Sequence, residues 1–399
     1  MADYDFLSVY FYSVPNLRFS YKGDWSKRKL NEICLFFKGN GLSKSDLSNE
    51  GFPCILYGEL YTTYKNEVIS DIISKTNTTL SNPFLSRNND LIIPGSGEDP
   101  IDIAVARAIY QNDIILGGDL NILRPKSNVS AAFLSYQLNG VRRYDIAKKA
   151  QGKSIVHLHN SDLKEVLVSI PSYDEQLHIV KLLTKIDEMI ETQSKIIEEY
   201  VILKNSLIHR FFTMDNPKVK LSTILTEINI KNKNKQIDTV LSVSNKLGFI
   251  KQSEQFEDRE VASDDTSNYK IVNKGDYAYN PARINVGSIA RLINYDKGII
   301  SPMYSCFKIN EKKITYTYFD MFLSSFSFKR QLNKKLEGSV RQCLTFEGML
   351  SMDIELPCIE TQKSISNKID MLNYKIKLES DYREALIKQK QFLLNNMFI

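Results

Sequence analysis

Cysteine, histidine and tryptophan are scarce in this sequence: five, four and one among 399 residues. The cysteines (Cys34, Cys54, Cys306, Cys343, Cys358) are scattered and form no CxxC pair. That argues against a disulfide framework or a structural zinc site and suits reduced thiols in a cytoplasm. No apolar run reaches the ~18 residues of a membrane span. The start, MADYDFLSVYFYS, has no basic region ahead of an apolar core, so it does not read as a signal peptide. There is no P-loop. Neither sign of charge dominates, for 52 basic and 47 acidic residues leave +5. A chain that held nucleic acid alone through phosphates would be more basic; one that shares the task with partners need not be.

What the sequence does contain is itself, twice. IPSYDEQLHIVKLLTKIDEMI at 170–190 and LPCIETQKSISNKIDMLNYKI at 356–376 each head a long helical pattern. At an offset of 186, residues 170–212 and 356–398 align as 43 pairs without a gap, nine of them identical. The identities include Pro171/Pro357, Gln176/Gln362, Lys204/Lys390 and Phe212/Phe398. Upstream, Asp90/Asp276, Ala104/Ala290, Gly152/Gly338 and Leu158/Leu344 keep the offset, and then the match blurs. The chain reads as a tandem pseudo-repeat whose helices stayed alike while its globular parts diverged.

Both helices follow alternating steps of three and four, the spacing of a coiled-coil seam. The first seam holds Ile179, Leu183, Ile186, Ile190, Ile197 and Leu207, and ends at Phe211. The second holds Ile365, Ile369, Leu372, Ile376, Leu386 and Leu393. Polar residues interrupt both, which costs stability but fixes register. The helices carry −2 and +2, favouring mutual pairing only weakly, so the +5 surplus lies in the globular regions.

Those regions mix short β-rich runs such as DLIIPGSG and KGIISPMYSCFKI with Gly, Asn, Asp and Pro turns. Each closes with a shorter helical run, AAFLSYQLNGVRRYDIAKKA or YFDMFLSSFSFKRQLNKKL, then a Gly-led turn and a strand before its long helix. The pattern predicts an α+β fold: two similar α/β domains, each followed by a long helix with a coiled-coil seam. The expected bounds are an arm at 1–21, a first domain at 22–172, a central helix at 173–212, a second domain at 213–358 and a C-terminal helix at 359–399. Side chains that reach phosphates and base edges cluster on loops and short helices. The candidates are Tyr57, Tyr61, Arg142, Arg143, Lys153, Arg283, Asn285, Lys329, Arg330 and Arg341. Arg283 and Asn285, on a Pro-started loop, suit bases; Lys153 and Arg341, after Gly152 and Gly338, suit phosphates.

Fragments that imitate catalysis are incomplete. Asn82-Pro83-Phe84 lacks the second proline of the amino-methyltransferase motif it partly resembles, and Gly95-Ser96-Gly97 has no regular βαβ unit around it. Glu311-Lys312-Lys313 with Asp296 only loosely mimics a nuclease site. His157 and His159 have no partner at metal spacing. No catalytic, cofactor-binding or metal residue is assigned.

In this order, the motifs resemble the specificity subunit (HsdS) of Type I restriction–modification systems over nearly the whole length. PNLRFSYKGDWSKRKLNEI resembles that family's opening, and GLSKSDLSNEGFPCILYGELYTTY the start of its first recognition domain. The turn from Gly152 to Gln176, ending P-x-x-x-E-Q-x-x-I, resembles the entry to its central helix. KGDYAYNPARINVGSIARL resembles a second-domain segment. The second entry departs from the pattern, with Thr361 where the first has Glu175. The resemblance implies two target-recognition domains, each reading half of a split, asymmetric double-stranded DNA site, separated by the two long helices packed as an antiparallel coiled coil. It implies two modification subunits that bind S-adenosylmethionine and methylate adenine, and restriction subunits that use ATP and Mg. This chain would bind none of those cofactors, would not be an enzyme, and would work in the cytoplasm away from any membrane. The rival readings are a stand-alone protein scaffold, a self-sufficient methyltransferase or nuclease, and an orphan subunit that redirects or inhibits another system's enzyme.

Overall fold

The computed structural model describes residues 14–212, 216–255, 265–338 and 342–399. The chain divides into two compact units, Met1–Lys195 with Ser380–Ile399, and Ile196–Glu379. Both long helices are present, Tyr173–Phe211 and Ile359–Asn396, and the boundary between the units falls within each.

The first unit has a sheet of order Cys34–Lys38, Leu120–Pro125, Asp90–Pro94, Arg107–Ile109, Val68–Ile69, antiparallel but for the last pair. The second unit repeats its first four strands in the same order: Leu225–Ile228, Ser305–Ile309, Tyr277–Tyr279, Ile289–Arg291. Each unit adds a second sheet built on a parallel pair, Phe52–Ile55 with Ile115–Leu116 and Val240–Ser244 with Lys297–Ile300. The duplication therefore persists in topology where the sequences have drifted apart.

Several identities at the 186-residue offset now have physical reasons. Asp90 and Asp276 each accept the backbone N–H three residues back, from Arg87 (2.8 Å) and Asn273 (2.7 Å), closing the turn before a central strand. Gly152 and Gly338 both have positive φ, +138° and +102°, where a side chain is strained. Each follows a residue bridged to the far side of its loop, Gln151 to His157 and Glu337 to Cys343. Leu158 and Leu344 are fully buried plugs behind those loops.

The repeated glutamine is a joint. Gln176 accepts the N–H of Ser130 (2.9 Å) and donates to the carbonyls of Asn128 (3.2 Å) and Pro171 (3.1 Å). Gln362 accepts the N–H of Thr315 and donates to the carbonyls of Lys313 and Pro357, all at 2.9 Å. Ser130 and Thr315 cap the short helices Ala131–Asn139 and Tyr316–Ser324. In each unit one buried amide thus ties the head of a long helix to the backbone of its globular domain.

Within the first unit, Glu175 at the head of the first long helix meets Trp25, whose ring packs on Phe398 (6.3 Å) near the end of the second. Farther along, Asp187 meets Lys390, so the two segments run antiparallel. In the second unit Ile208 and Phe212 share a core with Ile365 and Ile369, and Lys204 donates to Asn373 (3.3 Å). All twelve seam aliphatics named above are buried or half-buried. At the end of the first helix Ile208 and Phe212 lie deeper than Leu207 and Phe211. A helix of 3.6 residues per turn drifts off a 3.5-residue seam, and here the last turn faces its domain's core.

The YFDMFLSSFSFKRQLNKKL run is two helices, Tyr316–Ser324 and Phe326–Lys335. Ser325 lies in an extended conformation and accepts the N–H of Phe328 (3.1 Å) as the second helix's cap. The first unit's run divides likewise at Gly140, into Ala131–Asn139 and Arg143–Ala147. Glu175, where the second entry has Thr361, holds the segment ahead of the first domain. Its buried carboxylate takes two 2.7 Å bonds from Arg18 and one of 3.3 Å from Trp25.

Candidate nucleic-acid interface

The loop Pro281–Ser288 joins two neighbouring strands of the second unit, Tyr277–Tyr279 and Ile289–Arg291. Its shape is set by its own sequence. The Asn280 side chain accepts the N–H of Ala282 (3.1 Å), an Asx turn started by the X-Pro step. Backbone bonds from Arg283 N to Asn280 O (3.0 Å), Ser288 N to Arg283 O (3.1 Å) and Asn280 N to Ser288 O (3.0 Å) close it. Ile284 is buried and pins the loop, and Gly287 supplies the left-handed turn at φ +92°. Burial pushes the Tyr279 hydroxyl up to about 12; the neutral phenol donates to Leu344 O (3.3 Å) beneath the loop. The result is a rigid platform on which Arg283 and Asn285 are exposed. Neither side chain has a hydrogen-bond partner among the described residues.

Arg283 lines a cleft of about 530 Å³ together with Asn245, Gln252, Asn280, Met303 and Tyr304. Guanidinium and amide groups are the side chains that bond base edges bidentately, and exposed apolar groups meet the thymine methyl. Val286 and Met303 supply such groups, at 56% and 65% exposure. Asn245, Gln252 and Tyr304 were not singled out from the sequence, because they come from segments distant in sequence from Arg283 and carry no motif.

The corresponding loop of the first unit, between Asp90–Pro94 and Arg107–Ile109, is acidic instead. It exposes Glu98, Asp99 and Asp102, with Asp99 capping the turn Pro100–Ile103 through the N–H of Ile101 (2.7 Å). Arg143 donates to Ile101 O (3.0 Å) and holds this loop. Tyr57 and Tyr61 are half-buried against the adjoining core. A Cβ on Gly97 would lie 3.7 Å from the Tyr61 hydroxyl. Arg142 donates to Ile399 O (3.1 Å) and pairs with Asp145 (3.3 Å), so both arginines of this pair are engaged within the fold. Lys153 is exposed on the Gly152 loop. Lys329 and Arg330 are exposed on Phe326–Lys335, and Arg330 lines a different cleft from Arg283. Arg341 lies outside the described residues.

Among the described residues no group of three or more His, Cys, Asp or Glu is placed to hold a metal, and no helix is long and apolar enough to cross a membrane. The rings of His157 and His159 stack on one another at 6.1 Å.

Each unit thus holds a like-built domain and an antiparallel stretch of the two long helices, and the two domains present different polar loops. Residues 22–199 match the family model described as the Type I restriction modification DNA specificity domain. Two relatives from Methanocaldococcus jannaschii are similar along most of their length. The Type I restriction enzyme MjaVIII specificity subunit is 21% identical, over 93% of this chain and 91% of that one. The putative type I restriction enzyme MjaX specificity subunit is 22% identical, over 93% and 92%. Among solved structures, the S subunit of a Type I restriction–modification system from M. genitalium superposes with a TM-score of 0.60 at 15% identity, covering 97% of this chain and 99% of that one. A chain from a structure of type I R-M complex assembly and conformational transition gives 0.58 at 14%, covering 93% and 96%. Residues 22–199 are thus similar to the Type I restriction modification DNA specificity domain, and most of the chain is similar to Type I restriction enzyme specificity subunits.

Proposed function

We propose that this chain reads a bipartite, asymmetric site in double-stranded DNA and directs adenine methylation or cleavage there by partner subunits. Two modification subunits would bring S-adenosylmethionine, restriction subunits would bring ATP and Mg, and this chain would bind none of them. It would act in the cytoplasm. The observation that carries the reading is the mismatch between equivalent loops. The two domains share a strand order, yet one presents Arg283 and Asn285 while the other presents Glu98 and Asp102. Arginine suits guanine O6 and N7, whereas carboxylates accept from cytosine N4. Two domains of one architecture with opposite chemistry suit two different half-sites.

Methylome sequencing of cells holding the modification subunits, with and without this chain, tests it. The expected result is new N6-methyladenine at a split, non-palindromic motif with a fixed spacer. A palindromic or unsplit motif would overturn the reading.

Individual contacts then separate into two kinds. In the assembled complex, Arg283→Ala costs about 1–3 kcal/mol at one base position and relaxes it. Lys153→Ala weakens all sequences alike and flattens the salt dependence. Titrations on matched and singly mismatched duplexes check the division; equal behaviour of the two variants would remove it.

A further inference from the structure

A second cleft of about 410 Å³ opens in the second unit, sharing no residue with the one around Arg283. Its walls are the strand Lys218–Lys220 and the helix Phe326–Lys335, and its cations are Lys218, Lys220, Arg330, Lys334 and Lys335. We propose that this cleft holds consecutive phosphates of the DNA backbone. The inference rests on the DNA-reading function proposed above and assigns that function a second contact point.

The charges are the first reason. Two carboxylates line the cleft, and each already faces a strand lysine: Asp353 with Lys220 at 2.9 Å, Glu355 with Lys218 at 3.7 Å. Arg330, Lys334 and Lys335 have no partner among the described residues. The helix dipole accounts for Lys334 and Lys335, which stand in the last turn. It does not account for Arg330, which sits a turn earlier and faces Lys334 at i,i+4, a destabilising pairing of like charges. On the long helices, Lys185, Lys195 and Lys388 each have an acid at i±3 or i±4.

Spacing is the second reason. Lys218 and Lys220 lie on one side of a strand, about 6–7 Å apart along it. Arg330 and Lys334 are about 6 Å apart along their helix. Separate cations in rows suit a chain of phosphates better than one focused anion. The cleft's amide cannot read bases, because Gln331 is bound to the backbone of Asp353 through both ends (2.8 and 2.7 Å). The contact would therefore position the duplex without specifying sequence.

The test uses the full chain assembled with its modification subunits and a duplex carrying the motif found by methylome sequencing. Arg330→Gln with Lys334→Gln should lower affinity about tenfold and make the slope of log K against log salt shallower by about 2. The ratio of matched to mismatched binding should stay unchanged, and Arg330→Lys with Lys334→Arg should keep wild-type affinity and slope. Unchanged affinity and slope in the glutamine variant, with wild type binding normally, would overturn the proposal. So would a glutamine variant that folds but no longer assembles with the modification subunits, for the cleft would then dock protein. Failure of the wild-type complex to bind any duplex would instead remove the function on which the proposal rests.

Discussion

Lys390→Met destabilises the first unit by about 3–5 kcal/mol, the cost of stranding a buried charge. The Lys390 ammonium lies 2.6 Å from Glu67 and 2.6 Å from Asp187, and both carboxylates are buried. Tyr136 donates to the far oxygen of Asp187 (2.7 Å). Burial pulls the Lys390 pKa down, but the two carboxylates more than offset it, and the net direction is up. Such a group stabilises the fold below its unfolded pKa of about 10.4 and loses that contribution only as pH rises through the raised value. Burial also raises the Asp187 pKa, against the lowering effect of Lys390. Without the lysine that rise grows. The deficit of the variant therefore shrinks as pH falls from neutrality and the stranded carboxyl takes a proton. The equivalent Lys204→Met should cost no more than about 1 kcal/mol, because among the described residues Lys204 meets only the amide of Asn373 near the surface. Trp25, the single tryptophan, is buried in the first unit, so its fluorescence during urea unfolding reports Lys390→Met, while far-UV circular dichroism, which follows both units, reports Lys204→Met. Equal midpoint shifts for the two variants would sink the argument.

Exchanging residues 22–172 for the matching domain of a relative should replace one half-site of the methylated motif and leave the other intact. The joints make this feasible. Gln176 recognises Ser130 N, Asn128 O and Pro171 O, all backbone atoms, and Gln362 makes the equivalent bonds around a diverged sequence. A domain of the same backbone shape therefore keeps this joint. The antiparallel pairs Ser26–Lys29 with Leu167–Ile170, and Lys218–Lys220 with Asp353–Glu355, tie the first and last strands of each domain together near the joint. One constraint is chemical: the graft needs a carboxylate at the position of Glu67, or Lys390 loses one of its two buried partners. Methylome sequencing of the chimera checks the result. A change in both halves together would mean that the domains do not read independently.

The duplication, the positions of both long helices and the twin Pro-Gln entries were legible in the sequence because each is local. A heptad seam is a property of one segment, and a gapless offset survives only where a rod must keep its phase. The loop of Arg283 and Asn285 was legible for the same reason, since Asn-Pro and Gly set its turns without outside help. The break of the second domain's helical run at Ser325 was missed, because apolar spacing continues across it and only the cap geometry interrupts it. Other features belong to the tertiary structure alone. Lys204 and Lys390 are identical in sequence and stand in equivalent places, yet one is buried between two acids and the other touches an amide. Arg142 and Arg143 look like free cations in the sequence and are bound to carbonyls in the fold. Strand order brings Asn245, Gln252 and Tyr304 beside Arg283, and sets Lys218 and Lys220 across from Arg330. A side chain's partners depend on which distant segments the sheets bring together, and no periodicity along the chain encodes that.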